Sequence, residues 1–129
     1  MSAKIEILNW IENEKHEIIL FLQEFIQAAS PNPPGDTTIA AKVISKLLEK
    51  NKMPFRWVSP QKTMPNIVGS INGSKPGRHL VLNGHIDVFP VSDNYSEEGW
   101  ITPPWSGEII EDKIYGRGST DMKCGTSAS

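Results

Sequence analysis

At 129 residues the chain has the length of one domain or a portion of one. Hydrophobic residues make up 38% and 10 glycines add to them, an ordinary globular balance, while a formal net charge of -2 excludes the electrostatic footprint of a nucleic-acid or anionic-membrane binder. A single cysteine, Cys124, excludes an internal disulfide, and no apolar run is long enough for a bilayer span or a signal-peptide core, so a cytoplasmic location is expected.

The first predicted element is a helix over Lys4 to Ala28, where Ile5, Leu8, Trp10 or Ile11, Ile18, Leu22, Phe25 and Ile26 recur at helical spacing. It must end before Ser30-Pro31-Asn32-Pro33-Pro34-Gly35, which no helix crosses. A second helix is predicted from about Thr37 to Lys50, capped by Asp36 or Thr37, with Ile39, Val43, Leu47 and Leu48 facing inward. The period then changes. Phe55 to Val58, Asn66 to Ile71 and His79 to His85 are short β-branched or aromatic runs between turn residues, and predict strands. Gly107 to Tyr115, with a polar Glu111-Asp112-Lys113 centre, predicts a hairpin leading into Gly116, and a further helix is expected within Asp121 to Ser129. This order predicts an α/β fold around a mixed sheet. No internal repeat or interdomain linker interrupts it, so residues 1-129 are treated as one unit.

Two stretches carry chemistry. In Asn83-Gly84-His85-Ile86-Asp87-Val88-Phe89-Pro90 a His-x-Asp pair follows an apolar run, where ligand sites of open α/β sheets gather. His85 offers an imidazole nitrogen suited to zinc, and Asp87 projects to the same side of an extended chain, placed to orient the ring. In Gly116-Arg117-Gly118-Ser119-Thr120-Asp121-Met122-Lys123, the Asp121 carboxylate sits at a glycine-rich turn and has two oxygens with which to bridge a pair of metal ions. The bland alternatives stay open at this level: His85 as a hydrogen-bonded structural histidine with Asp87 as its partner, and Asp121 as the cap of the following helix. His16 and His79 read as solvent-facing or structural, Cys124 as a small filler before a reactive thiol, and Trp100 and Trp105 as loop packing before a pocket lining. Gly116-x-Gly118 lacks the third glycine of a dinucleotide loop, and no P-loop string occurs.

The strings Gly84 to Pro90 and Tyr115 to Gly125, with Gly99-Trp100 and Pro104-Trp105-Ser106-Gly107 between them, resemble the two N-terminal signatures of the metallopeptidase family that includes aminoacylase, acetylornithine deacetylase, succinyl-diaminopimelate desuccinylase and glutamate carboxypeptidases. The resemblance extends from the first helix to the last residue. It implies a three-layer α/β/α catalytic domain of which residues 1-129 are the N-terminal portion, without the lid or dimerisation domain. It implies that His85 ligates one metal, that Asp121 bridges two, and that Asp87 is the catalytic residue beside His85. The metals would be two zinc ions, with cobalt or manganese as substitutes, and the substrate a small N-acyl amino acid or dipeptide whose amide bond is hydrolysed. It further implies a cis peptide between Asp121 and Met122. Phe89 and Cys124 depart from the family's usual smaller residues without altering a ligand. The family's general-base glutamate and remaining ligands would follow residue 129, so the 129 residues alone are expected to be inactive. The alternative expectation is a short non-catalytic metal-binding or subunit-interaction module. Oligomeric state is not legible in the sequence.

Overall fold

A computed structural model describes residues 2-129. Two helices come first, α1 (Ala3–Gln27) and α2 (Thr38–Lys50), followed by β1 (Phe55–Val58), β2 (Asn66–Gly69), a 3-10 turn (Tyr95–Glu98), β3 (Glu108–Ile110), β4 (Lys113–Tyr115) and α3 (Lys123–Ala128). The α/β class expected from the sequence is present, as a partial form of such a domain. β1 and β2 pair antiparallel, as do β3 and β4, while parallel pairing enters through the bridge between Pro31 and Val88. The β3-β4 turn is two residues long, with positive φ at both Glu111 (48°) and Asp112 (62°), the twist that suits a tight hairpin.

The core forms where α1 and α2 meet. Phe25, Ala28, Ala40 and Val43 are buried together, with Phe21, Ile44 and Ile86 packed against them. Phe21 and Phe25 lie one turn apart on α1, and their rings stack at 5.8 Å. Burying a side chain such as Phe25 in full contributes about 1.5–3 kcal/mol. Two amides further along α1 reach across to the loop before β3: Gln23 Nε2 donates to the Gly107 carbonyl at 2.8 Å and Gln27 Nε2 to that of Ser106 at 3.0 Å.

Two expectations need correction. On α2, Val43 is buried and Leu47 and Leu48 are half-buried as expected, but Ile39 points to solvent while the small Ala40, Ala41 and Ser45 are buried. The helix expected over Lys4 to Ala28 is present as α1, with Ile5, Leu8, Trp10 and Ile11 exposed, since a 25-residue helix is roughly 37 Å long and only its last turns meet other elements. Finally, His79 to His85 carries no strand. Leu80, Val81 and Leu82 are 78%, 74% and 60% exposed; a strand is defined by its neighbour's hydrogen bonds, and among the described residues nothing pairs with this run. No helix among the described residues is long and apolar enough to cross a membrane.

Candidate functional site

Ser30 to Asn32, released from α1 by the prolines, lies beside Ile86 to Val88. Val88 N–H donates to Ser30 O at 3.0 Å, Asn32 N–H donates to Val88 O at 2.9 Å, and the buried Ser30 hydroxyl donates to Ile86 O at 2.6 Å. This short parallel contact carries Asn32 to Asp87, whose Oδ2 accepts from Asn32 Nδ2 at 2.9 Å. That hydrogen bond is the main reason the Asp87 carboxyl is held below its ordinary pKa of 3.8, against the opposing effect of partial burial. On the other flank, the Thr126 hydroxyl donates to His85 O at 3.2 Å.

His85 stands between two aspartates. Its Nδ1 lies 2.9 Å from the Asp87 carbonyl and 3.2 Å from Asp87 Oδ1, and its Nε2 lies 3.1 Å from Asp121 Oδ1. A carbonyl only accepts, so Nδ1 carries the proton. Nε2 of that tautomer holds a lone pair facing a carboxylate, an arrangement satisfied by a second proton or by a cation between them. Partial burial pulls the His85 pKa down, but the hydrogen bonds to Asp87 and Asp121 and the two carboxylate charges outweigh it and raise the pKa above 6.5. The donor set also fits a metal: two ligands at zinc distances and a tetrahedral angle are about 3.3 Å apart, near the observed 3.1 Å. Among the described residues no group of three or more His, Cys, Asp or Glu side chains converges in this way. Asp87 lies on the Nδ1 side of the ring, away from the His85 nitrogen that faces Asp121.

Asp121 is delivered by the turn from Gly116 to Lys123. Gly118 has φ +84°, a conformation that costs a side-chain-bearing residue about 1–2 kcal/mol, and a Cβ there would lie 2.6 Å from Val88 Cγ1. Glycine therefore lets the turn press against the His85–Asp87 segment. The Asp121–Met122 peptide is cis, as the resemblance implies. Next in line, the Lys123 side chain is fully buried, and its ammonium donates to Phe25 O at 2.7 Å and Ala28 O at 2.8 Å while facing the Phe25 ring at 4.9 Å. Burial pulls the Lys123 pKa down to about 8, so the group still carries its charge at neutral pH.

The three residues singled out in the sequence, His85, Asp87 and Asp121, are thus brought together. Asp121 does not cap α3, whose N-cap position is Met122. His16 and His79 are exposed. Cys124 is half-buried with its thiol donating to Thr120 O at 3.3 Å, in keeping with a filler. Trp100, with the Arg117 guanidinium 4.9 Å over its ring, lines a concavity of about 590 Å³ shared with Asp121 and Phe89. Sequence reasoning missed Ser30, Asn32 and Lys123. The first two had a signal, polar side chains in a proline-rich stop that packing had no reason to keep polar; Lys123 had none, since a lysine at a helix start reads as solvated.

Residues 81–129 match the sequence profile of peptidase family M20/M25/M40. The chain is 33% identical over 131 residues to N-formyl-4-amino-5-aminomethyl-2-methylpyrimidine deformylase of Halalkalibacterium halodurans, an alignment covering 99% of this chain and 30% of that protein. It is 35% identical over 89 residues to succinyl-diaminopimelate desuccinylase 2 of a Ruegeria species, covering 69% of this chain and 22% of that protein. The chain spans less than a third of the length of these curated relatives.

Proposed function

Because the chain belongs to the M20/M25/M40 peptidase family, we propose that it forms the N-terminal portion of a catalytic domain that hydrolyses the amide bond of an N-acyl amino acid or small peptide with two divalent metal ions, zinc foremost. The observation that carries the reading is the His85 imidazole held with Nδ1 toward Asp87 and Nε2 toward the Asp121 carboxylate. His85 and Asp121 are the residues that would hold metal, Asp121 bridging two ions, and Asp87 is the catalytic residue beside them. When bound, the metals supply Lewis acidity toward a carbonyl and toward water.

The chain's own groups do the rest. The Asp87 carbonyl accepts the Nδ1 proton and fixes the tautomer that presents Nε2 as a ligand. Asn32 holds the Asp87 carboxylate ionised and oriented. Support for an acyl-transfer type of hydrolysis also comes from the two relatives, whose names denote removal of a formyl and of a succinyl group from nitrogen. Trp100 and Phe89 line the same concavity as Asp121 and would contact a substrate bound there. A two-residue ligand set is short of the three or four that a zinc site needs, so the 129 residues by themselves are proposed to bind metal weakly and to turn nothing over.

The test is calorimetric titration of Zn²⁺ into the chain and its His85→Ala and Asp121→Ala variants, with hydrolysis of N-formyl, N-acetyl and N-succinyl amino acids assayed in a protein that carries this chain at its N-terminus. Metal binding lost in both variants, and turnover lost in the longer protein on Asp87→Ala, is the expected result. Binding unchanged by either ligand substitution overturns the metal assignment.

A further inference from the structure

We propose that Lys123 is a positioning residue: its buried ammonium, clamped on the Phe25 and Ala28 carbonyls at the end of α1, sets the separation between Asp121 and His85. α1 has no basic residue in its last turn; Glu24 O and Gln27 O accept from the backbone N–H groups of Ala28 and Ala29, and Phe25 O and Ala28 O are left to find a cation and its donors from elsewhere in the fold. Lys123 supplies both from a position 95 or more residues away in the chain, donating to Phe25 O and Ala28 O, with the Phe25 ring face closing over the charge. Among the described residues it is the only fully buried charged side chain.

Its place in the chain gives that anchor a consequence for the site. Lys123 lies two residues beyond Asp121, and its backbone N–H donates to Gly118 O at 2.9 Å, closing the turn that carries the carboxylate. The segment it grips at residues 25 and 28 continues directly into Ser30 and Asn32, which hold Ile86, Asp87 and Val88 by the hydrogen bonds already described. Both halves of the site are therefore referenced to one short stretch of backbone. The His85–Asp121 contact cannot set its own distance, since the Asp121 side chain is 80% exposed and exposed ion pairs hold geometry poorly. The importance of that distance rests on the metal reading; the clamp itself does not.

The experiment compares the wild-type chain with Lys123→Met, which keeps the length of the side chain and removes its donors. The His85 ring nitrogens are followed at one fixed pH by long-range ¹H–¹⁵N spectra, with Asp121→Ala as the reference for a lost contact, and Co²⁺ is titrated by its d–d absorption. In a Lys123→Met variant that circular dichroism shows folded, the Nε2 resonance is expected to move to the Asp121→Ala position while Nδ1 stays protonated, and Co²⁺ affinity to fall at least tenfold. A folded variant with the wild-type Nε2 resonance overturns the proposal. If Lys123→Met does not fold, Lys123→Arg decides: its longer head retains the carbonyl contacts and is expected to shift the Nε2 resonance, and an unshifted signal is a refutation. Loss of folding in both variants makes Lys123 a determinant of the fold alone and also refutes it. Should the wild-type chain bind Co²⁺ too weakly to measure, the His85 spectra alone judge the clamp.

Discussion

Gly118→Ala tests how the two halves of the site are pressed together. Two penalties are expected. The φ of +84° costs an alanine about 1–2 kcal/mol, and a Cβ 2.6 Å from Val88 Cγ1, where carbon atoms prefer 3.5–4.0 Å, forces a shift of about 1 Å. Val88 is poorly placed to retreat, being buried with its N–H and carbonyl both bonded to the 30–32 segment, and Lys123 Cγ and Cδ stand at 3.4 Å on the other side. Overpacking of this kind costs about 1–3 kcal/mol, so the total is about 2–5 kcal/mol, a large share of a domain's stability. Urea denaturation followed by circular dichroism measures it, with an unchanged m-value showing that only stability moved. In a Val88→Ala background the steric part disappears and Gly118→Ala should cost only about 1–2 kcal/mol. A single-mutant cost below about 1 kcal/mol, or costs that add without coupling to Val88, would refute the packing argument.

Ser30→Ala removes the 2.6 Å hydrogen bond to Ile86 O within a buried setting and is expected to cost about 1–3 kcal/mol in the same denaturation assay. Asn32→Ala should raise the Asp87 carboxyl pKa toward its ordinary 3.8, read from the ¹³Cγ shift during an acid titration. The sign carries into stability: a carboxyl whose folded pKa is depressed stabilises the fold above the unfolded pKa and loses that contribution as pH falls through the folded value, so the acid sensitivity of the wild type below about pH 4 should flatten in Asn32→Ala. On α2, Ile39→Ser should change stability by less than about 0.5 kcal/mol, whereas Ala40→Leu, forced into the buried cluster with Phe25 and Ala28 of α1, should cost about 1–3 kcal/mol. The reverse ranking would restore the face expected from the sequence.

The helices, the β1 strand, the hairpin into Gly116 and the meeting of His85, Asp87 and Asp121 were legible in the sequence, because each rests on local pattern or on strings long enough to be specific. The face of α2 was legible only in part: Val43 is buried as expected, but hydropathy ranks Ile39 above Ala40 while close packing favours the smaller residue. The 79–85 run has the composition of a strand but, among the described residues, no neighbour to make it one.

By itself, then, the sequence determined where helices start and stop and which family the chain resembles. Tertiary structure alone decided how His85, Asp87 and Asp121 are held. Asn32 reaches Asp87 across 55 residues and Lys123 reaches Phe25 and Ala28 across 98 and 95, contacts that no spacing rule encodes. A buried lysine is costly unless its donors are met, and the carbonyls that meet them exist as a pair only once α1 has ended and the Gly118 turn has folded back against it.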